Sequence, residues 1–73
     1  MPQLPAVTVR QLARALERAG FTLRRQTGSH AIYRREGGRF ANIPVHSGDV
    51  PLGTLRNILK SAGLTAEELR DLI

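Results

Sequence analysis

Residues 21–45 constrain the fold more than any other part of this chain. Three short segments, Phe21–Gln26, His30–Arg35 and Arg39–Val45, are separated by Thr27-Gly28-Ser29 and Glu36-Gly37-Gly38. Phe-Thr-Leu-Arg-Arg-Gln alternates as a half-buried strand does, and the next two segments carry β-branched and aromatic residues. Parallel neighbours need crossovers of a dozen or more residues, whereas these glycine-bearing links are turns. The segments must therefore run as a three-stranded antiparallel meander. Pro44 falls near the end of the third, where a missing N–H is tolerated.

Helical patterns flank the meander. Thr8 and Gln11 form a Thr-x-x-Gln capping box, and Val9, Leu12, Ala13, Leu16 and Ala19 recur at helical spacing up to Gly20. Arg10, Arg14 and Arg18 line the opposite side as a solvated stripe. From about Pro51, Leu52, Leu55, Ile58, Leu59 and Ala62 make a second apolar stripe that stops at Gly63. Thr65-Ala66-Glu67-Glu68 opens a short tail helix. Met1–Ala6 has two prolines and no periodicity, and reads as a flexible lead-in to one domain spanning residues 1–73. The order α-β-β-β-α-α predicts an α+β fold of two layers, with the helices on one face of the sheet. Strand alternation divides His30, Ile32 and Arg34 from Ala31, Tyr33 and Arg35. An unpartnered imidazole is costly to bury, which favours Tyr33 inward and His30 outward.

With 73 residues there is room for one modest core, so a site is expected on an open face rather than in an enclosed pocket. The absence of cysteine excludes disulfides, thiolate metal sites and a cysteine nucleophile. No apolar run approaches a membrane span and no leader is recognisable, so a soluble cytoplasmic protein is expected. Charge is unevenly placed. Residues 1–40 hold eight arginines against Glu17 and Glu36, a balance of +6, while residues 41–73 hold three bases against four acids, a balance of −1. Ten of the eleven bases are arginine, whose planar fork suits phosphate. A basic half of this kind points to nucleic acid or another polyanion.

His30 is the residue around which chemistry can be built, because imidazole exchanges protons near neutrality. It closes the run Arg25-Gln26-Thr27-Gly28-Ser29-His30. His30 and His46 are sixteen residues apart with no carboxylate at ligand spacing, so no metal is expected. Paired carboxylates are lacking, and no glycine-rich strand-to-helix loop offers a nucleotide cradle. Ser29 next to His30 does not read as a triad, since neighbouring strand residues point to opposite faces. RNA cleavage asks for less: the ribose 2′-hydroxyl is the nucleophile, and the protein moves protons and steadies the phosphoryl oxygens without a cofactor. Arg24, Arg25, Arg34, Arg35 and Arg39 are candidates for the RNA backbone, although alternation forbids all five from sharing a face. His46 is a candidate second proton donor or phosphate contact, or a plain loop histidine. Gly53 and Thr54 could offer helix-start amides to a phosphate. Two other readings stay open: an RNA-binding module without chemistry, and an adaptor whose basic face docks an acidic protein.

The ordered blocks Arg25-Gln26-x-Gly28-Ser29-His30, Ile43-Pro44-Val45-His46 and Gly53-Thr54-Leu55-Arg56-x-Ile58-Leu59-Lys60-x-Ala62-Gly63-Leu64 resemble the HicA family of mRNA-cleaving toxins. The likeness spans about residues 8–70. It implies a fold like the double-stranded-RNA-binding domain and metal-independent endoribonuclease activity without a cofactor. It also implies a neutralising antitoxin of the HicB type, with a free toxin that is monomeric and a complex that is hetero-oligomeric. By position His30 matches the catalytic histidine, and Gly28 and Ser29 match the turn that presents it. Gly28 is expected to grant that turn a conformation that a side chain would hinder.

Overall fold

A computed structural model describes residues 4–46 and 48–73. Its elements are α1 (Val9–Arg18), β1 (Thr22–Gln26), β2 (His30–Arg34), β3 (Phe40–Pro44), α2 (Leu52–Ala62) and α3 (Ala66–Leu72). The expected α+β order is therefore present, with one antiparallel sheet in the order β1-β2-β3. Both capping boxes form. Thr8 accepts from the Gln11 amide at 3.1 Å while the Gln11 side chain accepts from the Thr8 amide at 2.9 Å, and Thr65 and Glu68 repeat the exchange. Each box satisfies two amides that a helix start otherwise leaves bare. At the other end of α2, Gly63 adopts φ +71° and donates to the Leu59 and Lys60 carbonyls. Gly37 and Gly38, at φ +89° and +83°, reverse the chain between β2 and β3.

The core lies between the sheet and the helices. Leu12, Leu16, Ile43, Leu55 and Leu69 are fully buried, with Ala31, Tyr33 and Ala41 supplying the sheet's inner surface. Tyr33 points inward and His30 outward, as alternation and the cost of a buried imidazole require. α2 packs across β3, while α1 packs against β3 and α3. That asymmetry leaves β1 at an edge with all five residues exposed. The half-buried strand expected at Phe21–Gln26 thus buries only Phe21, which stands just before it.

Residues 1–3 of the lead-in lie outside those described, but Leu4 packs against the core. Val7, 1% exposed, accepts at its carbonyl from the Val50 amide, and Thr8 bridges Asp49. The loop after β3 is thereby pinned to the start of α1, a contact between segments more than forty residues apart. Arg18 at the end of the solvated stripe donates to the Leu72 carbonyl at 2.7 Å and ties α1 to the last turn of α3. No described helix is long and apolar enough to cross a membrane.

Candidate active face around His30

His30 is the first residue of β2, and its backbone is held on both sides. Its carbonyl accepts from the Thr27 amide at 2.8 Å and from the Thr27 hydroxyl at 3.3 Å, which closes the turn from β1. On its other side His30 stands opposite Pro44, and the Val45 amide donates to the Ser29 carbonyl at 2.9 Å. The side chain is exposed on the sheet face away from the helices.

The Ser29 hydroxyl lies 3.1 Å from Nδ1 of His30. This overturns the expectation that the two side chains diverge. Ser29 belongs to the turn and not to the strand, so strict alternation does not govern it. The contact engages Nδ1 and not Nε2. A hydroxyl can donate or accept, so it can serve either neutral tautomer. Gly28 also departs from expectation. It has no positive φ, and a Cβ added there meets nothing within 4 Å. The turn thus has room for a side chain at this position, and its geometry comes from the Thr27 and Ser29 backbone bonds.

A bulge resolves the difficulty of the neighbouring arginines. Leu23 pairs with Tyr33 and Arg25 with Ile32, so the register shifts at Arg24. A bulge sets two residues of one strand against one of its partner, and the local alternation lapses. Arg25 therefore shares the face of Ile32, which is also the face of His30. Arg24 lines a shallow depression of about 340 Å³ with Thr22, Arg34, Arg35 and Glu36, and Thr22 and Arg34 are opposite one another on that face. The fold thus brings Arg24, Arg25 and Arg34 together with His30 on one open surface. Among the described residues one carboxylate, Glu36 in the β2–β3 turn, also lines that depression, while Glu17 stands on α1, Asp49 in the loop before α2 and the rest on α3.

The remaining sequence candidates are placed apart. Arg35 is half-buried; it donates to the Ala19 carbonyl at 3.1 Å, and its guanidinium sits 4.9 Å over the Phe21 ring. It braces the end of α1 to the sheet. Arg39 lies over Gly63 at the C-terminal end of α2, so close that a Cβ there would stand 2.8 Å from Nε. His46 lines a larger cleft of about 590 Å³ between α1 and the inner sheet surface, together with Val9, Ala13 and Tyr33. Burial, and secondarily Glu17, raise the Tyr33 hydroxyl above its ordinary pKa. Gly53 and Thr54 open α2 behind Pro51, which provides no side-chain cap. Among the described residues no three His, Asp or Glu side chains are grouped to hold a metal ion.

Two features of this face were missed from the sequence. One is the bulge, whose signal is the adjacent Arg24-Arg25 pair interrupting an otherwise alternating strand. The other is Phe40, which the β2–β3 turn sets directly opposite Arg34 on the open face.

The α+β domain thus carries a histidine and three arginines on the bare face of its sheet. Comparison with known families is specific: the model of the HicA toxin of bacterial toxin–antitoxin systems matches residues 9–64. The chain belongs to the HicA toxin family and is the toxin component of such a system, with an antitoxin as its partner. No curated protein matches it by sequence.

Proposed function

We propose that this toxin is a metal-independent endoribonuclease that cleaves mRNA in the cytoplasm from the face built around His30. The ribose 2′-oxygen attacks the adjacent phosphorus and loses its proton. The bond from phosphorus to the 5′-oxygen breaks, and that oxygen gains a proton. The products are a 2′,3′-cyclic phosphate and a 5′-hydroxyl, and no cofactor enters the balance. Nε2 of His30 takes the first proton or supplies the second, with the other exchanged with water. Ser29 holds the ring through Nδ1. Arg24, Arg25 and Arg34 fix the phosphates and offset charge that grows on the phosphoryl oxygens. A site this shallow is open to an antitoxin of the HicB type, which would neutralise the toxin by covering it.

The observation that carries this reading is the Ser29–His30 contact on an open face beside three arginines. The products test it. RNA incubated with the toxin in excess chelator should yield cyclic-phosphate ends, and DNA, which lacks the 2′-hydroxyl, should stay intact. Salt-sensitive RNA binding with no product would instead favour a binding module without chemistry. Loss of cleavage on chelation would overturn the metal-free mechanism.

A further inference from the structure

We infer that Phe40 is a base-stacking platform, and that the open sheet face binds single-stranded RNA with an unpaired base laid on this ring. The inference rests on the ribonuclease reading only in taking RNA as the ligand. Phe40 opens β3 and is 42% exposed, although its neighbour Ala41 is fully buried. Burial of apolar surface is favourable, yet this residue leaves about two-fifths of its surface in water. Register places it beside Arg34, and Arg34 beside Thr22, in one row across the three strands. An aromatic face next to guanidinium groups is the combination that binds single strands: the ring takes a base while the cations follow the backbone.

Geometry connects this row to His30. The His30–Pro44 pair and the Arg34–Phe40 pair are four residues apart along the same two strands. At about 3.4 Å per residue they are separated by roughly 14 Å. That is about four stacked nucleotides at ~3.4 Å each, and fewer in an extended strand. A single strand can therefore reach from the histidine to the ring across Ile32, with Arg24, Arg25 and Arg34 along its phosphates. A duplex cannot use the ring, because its bases are stacked inside and proteins read it through phosphates and 2′-hydroxyls.

The test uses 2′-O-methyl RNA, which lacks the nucleophilic hydroxyl and stays intact. Fluorescence anisotropy of labelled single-stranded adenine and uracil oligonucleotides, and of a blunt-ended duplex of equal length, is compared across Phe40 variants of the whole chain. Phe40→Ala should weaken single-strand binding about tenfold, since stacked bases contribute at that level. Phe40→Leu should fall with it, because it keeps apolar area but no π face. Phe40→Trp should keep the affinity, and its indole, unique in a chain without tryptophan, should be quenched by bound RNA. Duplex binding should be indifferent to all three. Equal single-strand affinity for wild type and Phe40→Ala overturns the inference, as does a duplex that loses as much affinity as the single strands. Because the probe is not cleaved, Phe40-dependent binding by a protein that cuts no RNA would refute the ribonuclease reading alone. Cleavage with Phe40-independent binding would refute the platform alone.

Discussion

Five arginines are candidates for the RNA backbone by sequence, but only Arg24, Arg25 and Arg34 stand on the His30 face. This division predicts how binding responds to salt. Each phosphate neutralised on a single strand contributes about −0.7 to the slope of log affinity against log salt, so three contacts give roughly −2. A fourfold rise in salt should then weaken binding on the order of 20-fold. Arg24→Ala, Arg25→Ala or Arg34→Ala should each flatten the slope by about 0.7. Arg35→Ala should leave the slope unchanged, because its guanidinium is spent on the Ala19 carbonyl and the Phe21 ring. Its cost should fall on stability instead: one hydrogen bond and one partly exposed cation–π contact together amount to about 1–2 kcal/mol. Anisotropy titrations of uncleavable 2′-O-methyl RNA over a salt series measure the slopes, and urea denaturation measures the stability. A slope lowered as much by Arg35→Ala as by Arg24→Ala would refute the division, and so would a flat salt response in the wild type.

Three further predictions follow from other contacts. Ser29→Ala should lower kcat about fivefold, the worth of one hydrogen bond, while Ser29→Thr restores it. Leu69→Ala, at a fully buried position of α3, should cost about 2–5 kcal/mol in urea denaturation and loosen the Arg18–Leu72 tie. Tyr33 is the sole tyrosine, so phenolate absorbance should titrate with a midpoint above the ordinary 10.0. Because the folded state holds that proton more tightly, the associated stability is present below pH 10 and is lost as pH rises through the folded-state pKa. Tyr33→Phe should remove that part of the alkaline loss, and a midpoint at or below the ordinary value would contradict its burial.

Much of the fold was legible because local rules and global packing agree. The two glycine turns left no topology but a meander, and the Thr8 and Thr65 boxes marked where helices begin. The cost of burying an imidazole decided which face Tyr33 and His30 take. What escaped was set by tertiary context. β1 is exposed because α1 and α2 lie towards β3, which no alternation within Phe21–Gln26 encodes. The anchoring of Val7 by Val50 joins distant segments with no periodicity of their own. At the site, period-two reasoning failed at both places where the strand ceases to be regular. The bulge carries Arg25 to the His30 face, and the turn lets Ser29 reach Nδ1.

The central claim is that His30 moves a proton in RNA cleavage, and replacing it with alanine tests this most directly. His30 is exposed, so His30→Ala should keep the fold by circular dichroism and hold uncleaved RNA almost as tightly as the wild type. Its cleavage rate should fall about 10²–10⁴-fold, the range supplied by a positioned acid or base. A folded His30→Ala variant that cleaves RNA at the wild-type rate would contradict the account.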